Sequence, residues 1–396
     1  MRTQFTMPAT EKVDLSGKTV LQVVPELDVG GAEITTLEIS RAIVAAGGRA
    51  LIASQGGALA TDIEKAGGEI VALPVASKNP FTMWRNAAKL AKLIKRERID
   101  LIHTRSRAPG WSGLRAAKLA KVPFMTTYHS TVHTAPRAKV FYNSVLLRGD
   151  VCIANSHYTG AQISAVYPHW RDKIRVVPRG CDVDALAGAQ FDSAARAAKR
   201  AQWGVPETAF VILCPARVTS LKGQHVLVQA LGRLSGEKRP YLVLVGSAQG
   251  RDDYVADLTA QADEIGLSSR LVFAGLENTM PLAYAAADMA IVPTIRPEPF
   301  GRTIIEAQAA GLPVIATDAG GYRETVKSGA IDTGGTGRLV PMGEAAPLAA
   351  AIDELLALSP ADLTRMGENG RAHIEANFTQ AAMCARTLNV YAELLT

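Results

Sequence analysis

Short apolar runs alternate with amphipathic segments along this chain, in two sets split by a polar stretch, and that alternation restricts the fold more than any other feature. In the first set, "TVLQVV" (19–24), "ALIAS" (50–54), "IVALP" (70–74), "DLIHT" (100–104), "FMTTY" (124–128) and "VCIAN" (151–155) read as buried strands. Amphipathic segments such as 32–46 and 83–98 lie between them. After an Ala-, Arg- and Lys-rich stretch at 185–203 the pattern restarts with "FVILCP" (210–215), "YLVLVG" (241–246), "LVFAG" (271–275), "MAIVP" (289–293) and "PVIAT" (313–317). Strand–helix alternation implies parallel sheets covered by helices on both faces. Two sets imply an α/β chain of two Rossmann-like domains, as expected where 396 residues exceed one core. The expected division is a tail at 1–17, a first domain at 18–184, a linker at 185–203, a second domain at 204–377 and a separate amphipathic helix at 378–396.

Composition narrows the function classes. The chain is 48% hydrophobic, 20% charged and only 6% aromatic, so it is globular and poorly supplied with aromatic platforms for nucleic acid. Four cysteines, Cys152, Cys181, Cys214 and Cys384, have neither metal-ligand nor CxxC spacing, which fits a reducing compartment. The opening residues lack an apolar signal core, and no stretch approaches the ~20 apolar residues of a membrane span. A cytoplasmic protein, at most lying on a membrane surface, is expected. The net charge of +6 is uneven: residues 1–182 carry 25 Lys+Arg against 14 Asp+Glu, and the remainder carries 18 against 23. A basic first half suits an anionic membrane surface, nucleic acid, or simply solvated helices. Nucleic acid lacks any accompanying helix-turn-helix, zinc or aromatic signature. The segment 82–98 collects Lys89, Lys92, Lys95, Arg96 and Arg98 with Trp84, Leu90 and Leu93, a composition that can lie on anionic lipid.

Ligands of open parallel sheets bind beyond the carboxyl ends of strands, and several loops there carry chemistry. Gly30-Gly31 follow the first strand and open a helix, where backbone N–H groups and the helix terminus attract a diphosphate. Arg217 and Lys222 follow "FVILCP", where two cations can neutralise a leaving phosphate. In "RPEPFGRTIIEAQAAG" (296–311) Pro297 and Pro299 hold Glu298 extended. Gly301, Arg302 and Thr303 offer N–H groups at a helix start. Glu306 lies one helix-length on among apolar neighbours, so the two carboxylates can each accept from vicinal hydroxyls of one ligand. His129, in "TTYHSTVH" (126–133), lies just past a strand end. Asp182-Val183-Asp184 has the form of a metal-binding D-x-D but lacks acidic neighbours, and reads as turn chemistry. No metal or other cofactor is expected.

These blocks together resemble the group-1 family of retaining glycosyltransferases (family 4), which have the GT-B fold. The match runs from about Val20 to Thr396 through "VGGAE" (29–33), "ARVTSLKG" (216–223), "LVFAGLENTMPLAYAAADMAIVPT" (271–294) and, above all, Glu298-x7-Glu306 followed by "AAGLPVIATDAGG". The resemblance implies two sheets facing across a cleft and a last helix that crosses back to the first domain. It also implies a nucleoside diphosphate sugar donor, with Glu306 on the ribose and Glu298 on hydroxyls of the transferred sugar. Phe300 and Gly301 would lie beside sugar and diphosphate. Arg217 and Lys222 would hold the diphosphate, Gly31 would approach it, and His129 would sit near the reacting centre. Arg302, Gln308 and "PRGCDVD" (178–184) depart from the commonest family pattern. "HTRSRAPGW" (103–111) is similar to stretches in lipopolysaccharide-core transferases, so a lipid-linked or lipopolysaccharide-core glycan is the expected acceptor. A sugar-nucleotide 2-epimerase and a non-catalytic nucleotide-sugar-binding module are the alternatives.

Overall fold

The computed structural model describes residues 13–28, 30–187, 191–236 and 239–396. The first twelve residues of the expected tail and Val29 of the "VGGAE" block therefore lie outside the described residues. The chain divides into two compact units, 1–179 with 380–396 and 180–379.

The first unit is built on seven parallel strands: β1 (Thr19–Val23), β2 (Arg49–Ser54), β3 (Glu69–Ala72), β4 (Leu101–Thr104), β5 (Phe124–Tyr128), β6 (Val151–Ala154) and β7 (Ile174–Val176). They lie in the order β3-β2-β1-β4-β5-β6-β7. The strand order therefore reverses between β1 and β4, which opens a crevice at their carboxyl ends. The central strands are buried on both faces because helices cover both. The second unit repeats the scheme with β8 (Val211–Pro215), β9 (Tyr241–Val245), β10 (Leu271–Gly275), β11 (Met289–Val292), β12 (Val314–Thr317) and β13 (Gly337–Val340), in the order β10-β9-β8-β11-β12-β13 and again all parallel. Its reversal falls between β8 and β11.

Two strands, β7 and β13, escape the sequence pattern. Both are edge strands, and each carries an arginine. Arg175 pairs with Glu393, and Arg338 with Glu354. Charged edges block pairing with other chains, and they also break the apolar run by which a strand is recognised.

The stretch 185–203, expected as a linker, is instead part of the second unit. Asp192 caps the Ser193–Gln202 helix through the Ala195 N–H, 2.7 Å. Arg200 reaches inward to the Ala286 and Ala209 carbonyls, both at 2.9 Å, and to Asp288 at 2.9 Å. Trp203 joins the buried core. The basic composition that looked like linker chemistry is therefore partly a set of buried ties.

The Pro80–Glu97 helix starts where the sequence allows it to. Asn79 accepts from the Phe81 and Thr82 N–H groups at 3.0 and 3.2 Å, and Pro80 takes the first position, where its missing N–H costs nothing. Leu90 and Leu93 are buried, so they belong to the core and not to a lipid-facing side; Phe81 and Trp84 form the exposed apolar part.

The terminal Gln380–Leu395 helix belongs to the first unit, as the family resemblance implied. It packs Met383, Leu388, Val390 and Tyr391 into that core. Tyr391 Oη lies 2.8 Å from Nδ1 of the buried His103, and His103 Nε2 lies 2.7 Å from Thr127 Oγ1. Both ring nitrogens are thus satisfied without charge, and burial holds the ring well below its ordinary pKa. Tyr391→Phe would leave one buried ring nitrogen unpaired, a loss of about 1–3 kcal/mol. Urea unfolding of the two proteins measures it, and identical midpoints would contradict the bond.

Candidate active site

The second unit gathers its candidate residues at the β8/β11 reversal. Two backbone constraints hold the loops together. Gly223, between β8 and the Gln224–Leu231 helix, has φ +74°, and an added Cβ would lie 1.9 Å from the Pro293 carbonyl oxygen just past β11. Only glycine permits that approach. The Ile295 N–H donates to the Leu221 carbonyl, 3.1 Å, and ties the same two loops.

On this clamp Lys222 Nζ meets Glu298 Oε2 at 2.8 Å, with both side chains partly shielded from solvent. The Glu298 backbone is anchored as well. It forms a bridge with Gly320, and its carbonyl accepts from the Gly321 N–H at 2.8 Å. The extended conformation expected from the flanking prolines is therefore held by an isolated parallel bridge. Gly301 follows with φ +94°, facing the Tyr322 ring so closely that a Cβ would lie 2.2 Å from it. It is the N-cap of the Arg302–Ala309 helix, with no capping side chain.

Glu306 sits inside that helix. Its Oε1 accepts from Arg302 Nε at 2.8 Å, and its Oε2 accepts from the Tyr284 hydroxyl at 3.2 Å. Burial, then the nearby Glu306 charge, pushes the Tyr284 phenol well above its ordinary pKa, so it stays a donor. Thr303 contributes its carbonyl to the same hydroxyl, 3.4 Å. Lys222 and Glu298 thus form one ion pair, and Arg302 and Glu306 form a second on the helix that opens at Gly301 and runs through Thr303. Phe300 differs: its side chain is 3% exposed and packs edge-on against Phe378, so only its backbone lies at that helix start. Arg217 is exposed, with its guanidinium 3.4 Å from Gln249 Oε1 and its carbonyl accepting from Gln224 Nε2 at 2.9 Å. Tyr284 and Tyr322 were missed in the sequence. Tyr284 lies inside an otherwise apolar helix and Tyr322 opens the short Tyr322–Thr325 helix, and nothing in spacing separates either from core.

Asp182 and Asp184 do turn chemistry. Asp182 caps the Val183–Leu186 helix through the Ala185 N–H, 3.0 Å, and Asp184 lies 4.0 Å from Arg371.

The other candidates lie in the first unit. Gly30 caps the Gly31–Ala45 helix with an extended backbone, and the Glu33 carboxylate folds back so closely that a Cβ on Gly30 would lie 2.3 Å from it. Gly31 meets no neighbour at its Cβ position, so it leaves space for a ligand. His129 follows β5. Burial, then the positive Arg179, Arg105 and Arg107, push its pKa down to about 3. The ring is therefore neutral near pH 7. Unfolding restores the ordinary value of about 6.5, so the unfolded chain binds the extra proton and stability falls as pH drops from 6.5 towards 3. Nitrogen-15 NMR of the ring should show a neutral imidazole from pH 8 to 5; a midpoint near 6.5 would contradict this environment.

Residues 195–373 match the family described as Glycosyl transferases group 1, and residues 29–185 match Glycosyltransferase Family 4. A D-inositol 3-phosphate glycosyltransferase of Xylanimonas cellulosilytica is 34% identical over 242 residues, 57% of this chain and 57% of that protein. One from Nocardia farcinica is 32% identical over 317 residues, 75% of this chain and 67% of that protein. The chain thus spans between about half and two thirds of these relatives' length. A crystal structure of a glycosyltransferase from Rickettsia africae superposes with a TM-score of 0.86 at 32% identity, covering 96% of this chain and 99% of that one.

Proposed function

The chain belongs to the group 1 glycosyl transferases of family 4, and from that premise we propose that it moves a hexose from a nucleoside diphosphate sugar to a hydroxyl acceptor with retention at the anomeric carbon. The observation that carries this reading is the Lys222–Glu298 pair between the loops that follow β8 and β11, with the Arg302–Glu306 pair on the helix that the second loop leads into. Glu306, oriented by Arg302 and Tyr284, has the right chemistry for a ribose diol. Glu298 accepts from sugar hydroxyls, and Lys222 lies where a diphosphate would follow. In the bond-breaking step the anomeric carbon leaves the phosphate oxygen and negative charge grows there. Lys222, Arg217 and the N–H groups after Gly301 take up that charge without a metal. The acceptor hydroxyl attacks the same face, and its proton passes to the leaving phosphate.

Lys222→Met should lower kcat about 10²- to 10³-fold, as loss of one stabilising contact to a growing oxyanion does. Glu306→Gln should act mainly on KM. Thermal shift with UDP-, GDP- and ADP-sugars identifies the donor, and proton NMR of the product reads its anomeric configuration. Inversion would overturn the proposed step. Donor consumption without acceptor would point to an epimerase, and binding without turnover to a non-catalytic module.

The two relatives are named for D-inositol 3-phosphate, which favours a phosphorylated polyol as acceptor over the lipopolysaccharide-core glycan expected from "HTRSRAPGW".

A membrane role is proposed for one face. No helix among the described residues is long and apolar enough to cross a bilayer. On the Pro80–Glu97 helix, however, Phe81 and Trp84 are 64% and 53% exposed and stack on one another beside Arg85 and Arg115. Lys89, Lys92, Lys95 and Arg96 share this helix. Aromatic anchors among cations suit an anionic lipid surface. Phosphatidylglycerol vesicles should float the protein at low salt, and Phe81→Ala with Trp84→Ala should leave it in the soluble fraction. Wild type remaining soluble would refute the docking.

A further inference from the structure

The carboxyl edge of β4 and β5 carries a group of cations that the donor site does not use. Thr104 stands opposite Thr126 in the parallel register, so Arg105 and Arg107 leave β4 beside Tyr128, His129 and Ser130 leaving β5. Arg105 is 2% exposed. One of its Nη atoms donates to Gln22 Oε1 at 2.7 Å, and Gln22 is held in turn by Ser40 Oγ at 2.8 Å and the Thr36 carbonyl at 3.1 Å. Its Nε is buried without a hydrogen-bond partner. Arg107 opens the Arg107–Ala120 helix, bonds Ser130 Oγ and lies with Cζ 5.8 Å from the Tyr128 ring centre; its Nε is also buried and unpartnered. Nδ1 of His129 is a third such atom. Arg179, close by, is buried too. Glu33 and Glu38 offset Arg105 from the Gly31–Ala45 helix, but the charged groups that bear on His129 are Arg105, Arg107 and Arg179, all positive.

Burying guanidinium N–H groups without acceptors is costly, and a site arranged in this way is completed by an anion. The first turn of a fourteen-residue helix adds positive potential at the same place. Planar guanidinium forks suit phosphate oxygens better than a single point charge would.

We propose that Arg105, Arg107, His129 and Ser130 form a subsite for a phosphate monoester carried by the acceptor. This rests on the transferase reading above, and it assigns the basic edge of the first unit to acceptor selection. An acceptor without its phosphate would leave the buried donors unpaired, so the subsite discriminates by the presence of that group.

Titration calorimetry on the full chain tests it with D-myo-inositol 3-phosphate, myo-inositol and inorganic phosphate, each with and without saturating UDP. The phosphorylated polyol should bind on the order of 10- to 100-fold tighter than the free one, the span expected for hydrogen bonds to a charged group. Arg107→Gln should abolish that preference while leaving UDP affinity and melting temperature as in wild type. Ser130→Ala, a milder change, should reduce it in part and serves if Arg107→Gln does not fold. Equal binding of the two polyols by wild type would overturn the proposal. So would a parallel loss of UDP affinity in Arg107→Gln, which would give these cations to the donor. Binding of inorganic phosphate alone, with no preference between polyols, would show a free-anion site and overturn the acceptor role. Failure of wild type to bind any of UDP, GDP and ADP, with the polyol preference intact, would count against the donor reading and leave this subsite standing.

Discussion

A parallel strand covered by helices on both faces meets ligand and solvent only at its ends, and the candidate sites of both units follow from that restriction. Central strands such as β8 and β11 are apolar on both faces. Loops at the carboxyl ends are where charged groups meet water and where helix N-termini point. The reversal of strand order in each unit then separates two neighbouring loops and leaves room between them. Lys222 and Glu298 come from the two loops at such a reversal, and they meet because Gly223 allows the backbone past Pro293.

The two units differ in how their edges are balanced. In the second, cations and carboxylates are paired with one another: Lys222 with Glu298, Arg302 with Glu306. Such pairs hold side chains in place at low cost, and a ligand bearing both hydroxyls and phosphates can exchange partners with them. In the first, His129 is surrounded by guanidiniums and kept neutral. The basic excess of the first half of the chain therefore has two destinations, the surface of the Pro80–Glu97 helix and the buried edge beyond β4 and β5. Only the first was visible in composition, because charge counts do not register burial.

Legibility varied with the physics behind each signal. Apolar runs announced most strands, while β7 and β13 did not stand out, since each is short and interrupted by an arginine. The carboxylates Glu298 and Glu306 were legible because prolines and apolar neighbours mark an unusual setting for an acid. Tyr284, which donates to Glu306, and Tyr322, which packs on Gly301, were not, since a buried aromatic with a hydroxyl looks like core until its neighbour is known. Leu90, Leu93 and Arg200 were misplaced for the same reason: helical periodicity indicates that a face is buried without indicating what buries it.

By itself the sequence determined the two parallel α/β units, the loops that carry chemistry and the family, because period, strand length and turn residues are local properties. Tertiary structure alone decided that residues 185–203 belong to the second unit, that Phe300 offers its backbone and not its ring, that Gly223 and Pro293 touch, and that Arg105 and Arg107 converge on His129. Each of those depends on residues distant in the chain becoming neighbours. That outcome is set by strand order and packing, which no local pattern encodes.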